Sequence, residues 1–143
     1  MKKIMILFAA VLCISAVRAE GRVISADRLP QAARQFVKEY FPTQKMVYAK
    51  VDSGMFDTEY EVAFENGSKV EFFKNGEWKE VDCKGSAVPA GIVPSKIAAY
   101  VKTNYPDATI VQIERSRREW EVKLSNRWEL TFDNSFNLID IDD

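Results

Sequence analysis

The feature that most constrains the fold is an internal repeat. Three positions of the first half reappear 64 residues later, Pro30, Phe36 and Pro42 as Pro94, Tyr100 and Pro106. Farther along, the offset becomes 60, and the segment 59–62 (Glu-Tyr-Glu-Val) matches 119–122 (Glu-Trp-Glu-Val). An agreement of this length, with prolines and aromatic residues in register, predicts one structural unit that occurs twice.

Each unit begins with a segment that has the spacing of a helix. In the first unit, the apolar residues at helical spacing are Leu29, Ala33, Phe36, Val37 and Tyr40. The helix should begin at Pro30, since proline is tolerated at the first helical position. It should end before Pro42, since the residue that precedes a proline is disfavoured in helical geometry. Val93-Pro94 and Pro106 bound a second helix in the same way.

After each helix, the period changes from 3.6 to two, which predicts four short strands per unit. They span roughly 45–52, 57–64, 68–73 and 77–82, then 108–116, 118–124, 128–133 and 136–142. The loops 65–67 and 74–76 hold three residues and end in glycine, as suits a hairpin turn with a left-handed third residue. This register places Phe72 opposite Trp78. The matching turn of the second unit ends in Arg127, which a left-handed backbone would strain.

These patterns together predict an α+β fold. Tandem αββββ repeats would form one curved antiparallel sheet of about eight strands, with both helices packed on one face. Repeat one covers 26–82, a linker covers 83–92 and repeat two covers 93–143, all within a single domain. The expected core contains ten aromatic residues, Phe36, Phe41, Tyr60, Phe64, Phe72, Trp78, Tyr100, Trp120, Trp128 and Phe132.

The first nineteen residues have the composition of a secretory signal. Lys2 and Lys3 are followed by an apolar stretch at 4–17, and small residues precede an expected cleavage before Glu20. A membrane anchor is disfavoured, because a spanning helix needs about 20 apolar residues and this run is shorter. We therefore expect a mature chain, 20–143, that is periplasmic or secreted and not embedded in the membrane.

The charge of the mature chain argues against a nucleic-acid partner. Three of the twenty basic residues and none of the acidic ones lie in the signal, which leaves 17 basic against 21 acidic residues. A net charge of −4 lacks the basic face that phosphate binding requires. No cofactor is implied by any motif.

Histidine is absent and one cysteine remains after export. Without histidine, the chain lacks the usual general base and the commonest metal ligand. Cys13 leaves with the signal, so Cys83 has no partner for an internal disulfide. We interpret Cys83 as a small, partly buried apolar residue, and a disulfide to another chain is the alternative.

The acidic residues do not form a recognisable metal or catalytic motif. Asp52 and Asp57 flank a loop that does not match a calcium-binding pattern and lacks its closing glutamate. The paired carboxylates within 59–62 and 119–122 fall on one strand face, which favours a solvated charged surface over glycosidase chemistry. No metal site and no catalytic residue is predicted.

A second charged feature is the basic cluster 115–118. Arg115, Arg117 and Arg118 lie at a tight turn between two strands. A grip on a phosphate or a peptide carboxylate is one interpretation, and the favoured one is a solvated turn.

The helix-free face of the sheet is the candidate partner surface. The first repeat also carries a four-residue excess that places Met55 and Phe56 on a loop, where two apolar residues have no structural need. A soluble face of cross-strand charge pairs is the alternative. The candidate contact residues are Tyr48, Met55, Phe56, Phe73, Glu61, Glu71 and Lys123.

The repeated pattern resembles a known family. The run Leu29-Pro30 to Tyr40-Phe41-Pro42, followed by 60–62 and a glycine-turned hairpin and repeated from Val93-Pro94, resembles the PepSY-like proteins of Bacteroidetes. The resemblance covers about 24–143 and implies a fold like that of the β-lactamase-inhibitor protein, which blocks its enzyme with the concave sheet face. It implies a periplasmic or secreted protein without enzymatic activity, since PepSY domains are thought to restrain peptidases.

Two functions from different classes remain open at this stage. The favoured one is a non-catalytic exported binding module that inhibits or regulates a peptidase or another envelope enzyme, as a monomer or weak dimer. The alternative is a structural or self-associating envelope protein that has no inhibitory role. A hydrolase with a carboxylate site would need a deep cleft.

Overall fold

The structure, a computed structural model, describes residues 21–143. The predicted signal peptide, 1–19, lies outside the described residues. Two helices of ten residues each, α1 (Gln31–Tyr40) and α2 (Ser95–Asn104), are each followed by four strands. The strands are β1 (Arg22–Ile24), β2 (Met46–Ser53), β3 (Thr58–Phe64), β4 (Lys69–Phe73), β5 (Trp78–Asp82), β6 (Ile110–Arg115), β7 (Glu119–Leu124), β8 (Glu129–Asp133) and β9 (Leu138–Asp142).

The described part of the chain forms one open antiparallel sheet in which the strands follow one another in sequence order, β1 to β9. The α+β class and the single sheet are confirmed. The sheet has nine strands where about eight were expected, because Arg22 and Ile24 pair with Val51 and Ala49 at its outer edge. The two halves are joined by β5 and β6, where Val81 pairs with Ile113.

The helices begin and end close to the predicted prolines. Pro30 and Pro94 are the N-cap residues, with extended backbone, and each helix ends two residues before the next proline. Both helices pack on the same face of the sheet. The Phe36 ring of α1 lies edge-on to Phe72 at 5.6 Å between centroids, and Tyr100 of α2 lies edge-on to Phe132 at 5.7 Å.

The core lies between the helices and the sheet and runs through both halves. All ten predicted aromatic residues belong to it, and Phe72 and Phe132 are fully buried. Burying such a side chain contributes roughly 1.5–3 kcal/mol to folding. Ala33 and Ile97, with no exposed surface, bring the two helices against the same apolar layer. Cys83, expected to be partly buried, is 4 % exposed, and burial raises the pKa of its thiol.

The hairpin turns have the predicted geometry. Phe72 pairs with Trp78, and the third residues of the first two loops, Gly67 and Gly76, have φ of +93° and +92°. Arg127 adopts the predicted left-handed backbone with φ of +79°. Phe136, at the last turn, also has positive φ (+66°), and its ring packs against Trp120. The sequence pattern indicates neither feature of Phe136.

β-Bulges recur at matching places in the two halves. In the first half, the register shifts where β2 pairs with β3 and where β4 pairs with β5. In the second half, it shifts where β6 pairs with β7 and where β8 pairs with β9. The bulge on β5 leaves Trp78 and Val81 on the core face. Lys79 and Glu80 both then belong to the helix-free side.

Candidate functional site

An open groove of about 830 Å³ lies at one end of the sheet. Three connections meet there, the β2–β3 loop, the β4–β5 turn and the β6–β7 turn, together with strand residues of the helix-free face. The residues that line it are 54–59, Phe73, Lys74, Asn75, Lys79, Arg115, Ser116 and Arg117. Consecutive antiparallel strands place every second connection at the same end of the sheet, so the topology itself assembles this groove.

Met55 and Phe56 form the apolar rim of the groove. Their side chains are 89 % and 90 % exposed. The loop that carries them is closed at its base, where the Gly54 N–H donates to the carbonyl oxygen of Asp57 at 2.7 Å. The two predicted contact residues therefore project from a short loop that is anchored between two paired strands.

Phe73 lies in the same groove, so three of the predicted contact residues are brought together. It ends β4 opposite Glu59 and is partly exposed. Lys79 and Glu59 form an ion pair beside it, with 2.6 Å between Nζ and Oε2. Lys74 and Arg117 are exposed at the groove's edge. Groove cations outnumber groove carboxylates, in contrast to the acidic chain as a whole.

Arg115 corrects the interpretation of the basic cluster as a solvated turn. Its guanidinium carbon lies 4.0 Å from the centroid of the Trp78 ring and 5.7 Å from that of Trp120. Its Nε donates to the Trp78 carbonyl oxygen at 2.8 Å. Burial lowers the pKa of Arg115. Sequence pattern alone does not indicate this stacking, because Trp78 is 37 residues away. Only Arg117 and Arg118 of the cluster are exposed at the turn.

Tyr48 is less available as an anchor than the sequence suggests. Its hydroxyl donates to Oε2 of Glu61 at 2.5 Å, and this bond to a carboxylate raises the pKa of Tyr48 to about 12. The same carboxylate oxygen lies 3.9 Å from Nζ of Lys69. Tyr48 and Glu61 thus form a small network on the helix-free face, separate from the groove.

Two further candidate residues lie on the helix-free face outside the groove. Glu71 is paired directly with Glu61 across β3 and β4. Lys123 is three strands away from Phe73, on β7, and its Nζ is 3.8 Å from Oε2 of Glu129. The seven predicted residues therefore share a face or its end, but only Met55, Phe56 and Phe73 form one local site.

Among 21–143, no group of three or more His, Cys, Asp or Glu side chains is placed to hold a metal ion. No helix in this range is long and apolar enough to cross a membrane. The arrangement of an exposed apolar rim over an open groove, in which cations outnumber carboxylates, suits contact with another molecule.

A family model described as "putative beta-lactamase-inhibitor-like, PepSY-like" matches residues 58–140. This span is more than half of the chain. The protein belongs to the PepSY-like family. The resemblance drawn from the repeated helix-and-strand pattern is thereby confirmed.

Solved structures from Bacteroides are similar to this PepSY-like protein over nearly their whole length. A "putative calcium-regulated periplasmic protein" from Bacteroides thetaiotaomicron is 52 % identical, with a TM-score of 0.85, over 86 % of this chain and 97 % of the other. A "putative periplasmic protein" of the DUF2874 family from Bacteroides vulgatus is 50 % identical, with a TM-score of 0.85, over 88 % and 99 %.

A third relative has no known function. This periplasmic protein, also from Bacteroides vulgatus, is 35 % identical, with a TM-score of 0.83, over 87 % of the PepSY-like chain and 100 % of its own. No curated protein matches the chain significantly. The predicted periplasmic or secreted location agrees with the description of all three relatives as periplasmic.

Proposed function

We propose that this PepSY-like protein is a non-catalytic binding module of the cell envelope. Its recognition surface is the groove at the end of the sheet together with the adjoining helix-free face. The partner is a protein, and the favoured class is a peptidase or another envelope enzyme that the module inhibits or regulates.

The exposure of Met55 and Phe56 carries the proposal. A free chain gains nothing by keeping two large apolar side chains about nine-tenths exposed on one loop. The second half has a short turn at the corresponding place, 116–118, so the fold does not need the extra residues. Aromatic and methionine side chains surrounded by charged groups are typical of the central contacts of protein interfaces.

The enzyme-inhibitor role rests on the family. PepSY-like proteins resemble an inhibitor whose concave sheet face covers its enzyme, and this chain presents the equivalent helix-free face. The ion pairs and carboxylates of that face would form the polar surroundings of an interface. Contact through Phe56 would make the groove end of the sheet the part that enters the partner.

A capture experiment with three baits tests the surface. The mature chain, the double variant Met55→Ser/Phe56→Ser and the control Val47→Ser are each incubated with envelope extract of the source organism. Val47 is 59 % exposed but does not line the groove. We expect the wild type and the control to recover the same partner, and the double variant to bind it at least about tenfold more weakly.

The captured partner then decides the role. If it is an enzyme, one equivalent of the wild-type module should lower its activity, and the double variant should not. Equal recovery of the partner by all three baits would contradict the proposed surface. Recovery of copies of this chain alone would favour the self-associating alternative.

The sheet edge formed by β9 favours the binding module over association of two copies through this edge. The last strand, β9, carries Asp140 and Asp142 at its free edge. Charged side chains on an edge strand oppose pairing with the edge of a second copy. Self-association through the sheet edge is therefore disfavoured at this end.

A further inference from the structure

A row of five glutamates crosses the middle of the helix-free face. The strand register pairs each one directly with the next, on the five neighbouring strands β3 to β7: Glu61 with Glu71, Glu71 with Glu80, Glu80 with Glu114 and Glu114 with Glu121. Directly opposed side chains of an antiparallel pair are roughly 5 Å apart at Cβ. We call these five residues the glutamate row.

The central part of the glutamate row forms no ion pair among the described residues, although the charge of Lys79 lowers the pKa of Glu71, Glu80 and Glu114 against the effect of burial. Within residues 21–143, Lys79 pairs with Glu59 and Lys123 with Glu129, both outside the row, and Lys69 pairs with Glu61 at the end of the row. Among the described ion pairs, none involves Glu71, Glu80, Glu114 or Glu121. Like charges placed directly opposite each other destabilise a sheet.

The wider surroundings of Glu71 are mixed but mostly acidic. The polar and charged groups that the neighbouring strands and its own strand present on this face are Tyr48, Lys50, Glu59, Glu61, Lys69, Lys79, Glu80, Asp82, Gln112, Glu114, Glu121, Lys123 and Glu129. Gln112 donates its amide Nε2–H to Oε2 of Glu80 at 2.6 Å. This neutral donor satisfies one carboxylate without removing its charge.

Burial and mutual repulsion both favour the protonated form of four carboxyls of the row, those of Glu71, Glu80, Glu114 and Glu121. Burial, with the charge of Glu80, raises the pKa of Glu71 to about 7. Burial followed by the charge of Glu114 raises the pKa of Glu80, and burial also raises that of Glu114. Burial, followed by the charges of Glu129 and Glu114, raises the pKa of Glu121.

We propose that the glutamate row is a pH-sensitive element that works without histidine. Glu71, in the middle of the row, takes up a proton as the pH falls from about 8 to about 5.5, and the folded sheet becomes more stable as it does so. Proton uptake also removes negative charge from the middle of the proposed partner face. The inference rests on strand register and does not depend on the proposed function.

The direction of the pH dependence follows from the number of protons that the folded and unfolded states bind. In the unfolded chain, these carboxyls have ordinary pKa values of about 4.3, so at neutral pH the folded state binds more protons than the unfolded state. Stability contributed by the row is therefore lost as the pH rises through the folded pKa of Glu71, about 7. It is regained as the pH falls towards the unfolded value.

The composition makes this response easy to isolate. The chain has no histidine, the group that titrates in this range in other proteins. Cys83 stays protonated across the range, since burial raises the pKa of its thiol. A change in stability between pH 5.5 and pH 8 then reports on the carboxyl groups whose pKa is raised.

Two measurements on the mature chain test the proposal. Carboxyl ¹³C chemical shifts of the wild type, followed by NMR from pH 4 to pH 9, should give Glu71 a midpoint near 7. Urea unfolding should give a higher midpoint at pH 5.5 than at pH 8. Glu71→Gln should raise the midpoint at pH 8 and reduce the difference between the two pH values.

Glu65→Gln is the matched control, because Glu65 is an exposed glutamate in the adjoining β3–β4 turn and outside the row. It should leave the pH dependence of the urea midpoint as in the wild type. A Glu71 midpoint near 4.3 would overturn the proposal. So would a Glu71→Gln variant that is less stable than the wild type at pH 8, and the NMR result decides if that variant does not fold.

Discussion

At the residue scale, the two halves place different residues at the third position of equivalent turns. Gly67 and Arg127 are both third residues of three-residue hairpin loops and both have left-handed backbone. In each loop, an asparagine Oδ1 accepts the backbone N–H two residues on, from Ser68 or from Trp128. Glycine adopts this conformation without cost, whereas other residues lose on the order of 1 kcal/mol.

Arg127→Gly should therefore stabilise the protein. We expect a gain of up to about 0.5 kcal/mol in the free energy of unfolding, since relief of about 1 kcal/mol of strain is partly offset by roughly 0.5–1 kcal/mol from the added freedom of the unfolded chain. In the variant Gly67→Ala, the added Cβ would contact only Lys84 Cγ, at 3.7 Å. This substitution should therefore lower the free energy of unfolding by about 1 kcal/mol through backbone strain alone. Urea unfolding measures both, and a destabilised Arg127→Gly variant would contradict this explanation.

The sequence anticipated this turn because the repeat aligned Arg127 with a glycine. It did not anticipate the glutamate row. Simple alternation on β5 puts Trp78 inside and Lys79 outside, and then Glu80 inside. The bulge opposite Glu71 adds one residue, so Glu80 faces Glu71 instead. A bulge has no strong sequence signal here, and a one-residue shift changes which side chain faces which.

At the scale of elements, the strand pattern predicted most of the fold. Odd-length turns with glycine determined the register of β3, β4 and β5, and the prolines bounded both helices. The edge strand β1 was missed, because three residues are too few to show alternation. The sequence pointed to one part of the candidate site, since Met55 and Phe56 stood out where the spacing of the two repeats differs, and both line the groove. The cations of the groove come from three separate connections that only the folded sheet brings together.

The β2–β3 loop carries a prediction about calcium. A related protein is described as calcium-regulated, and Asp52 and Asp57 flank this loop here. The loop lacks the closing glutamate of a calcium-binding loop, and its backbone is closed by the Gly54–Asp57 hydrogen bond. We expect titration calorimetry of the mature chain to detect no micromolar calcium binding. Heat of binding that Asp52→Asn/Asp57→Asn removes would show this expectation to be wrong.

At the scale of the whole molecule, the two halves share one continuous sheet and one core. Val81 and Ile113 are fully buried where β5 meets β6, and the Arg115 guanidinium of the second half stacks on Trp78 of the first. Neither half could bury its sheet face alone, because the core passes continuously beneath both helices.

This continuity predicts a single unfolding transition. Tryptophan fluorescence of two variants, one retaining only Trp78 and the other only Trp128, should give the same urea midpoint after correction for the substitutions. Ile113→Ala should lower both midpoints together, at a cost of roughly 2–5 kcal/mol. Two separate midpoints would show that the halves unfold independently.

The central claim is that the groove end of the sheet contacts a partner in the envelope. The most direct test places a photo-crosslinking amino acid at position 56 in living cells, and at position 102 on the exposed side of α2 as the control. We predict a crosslinked adduct with one partner protein from position 56 and none from position 102. Equal crosslinking at both positions, or adducts from position 102 alone, would contradict the claim.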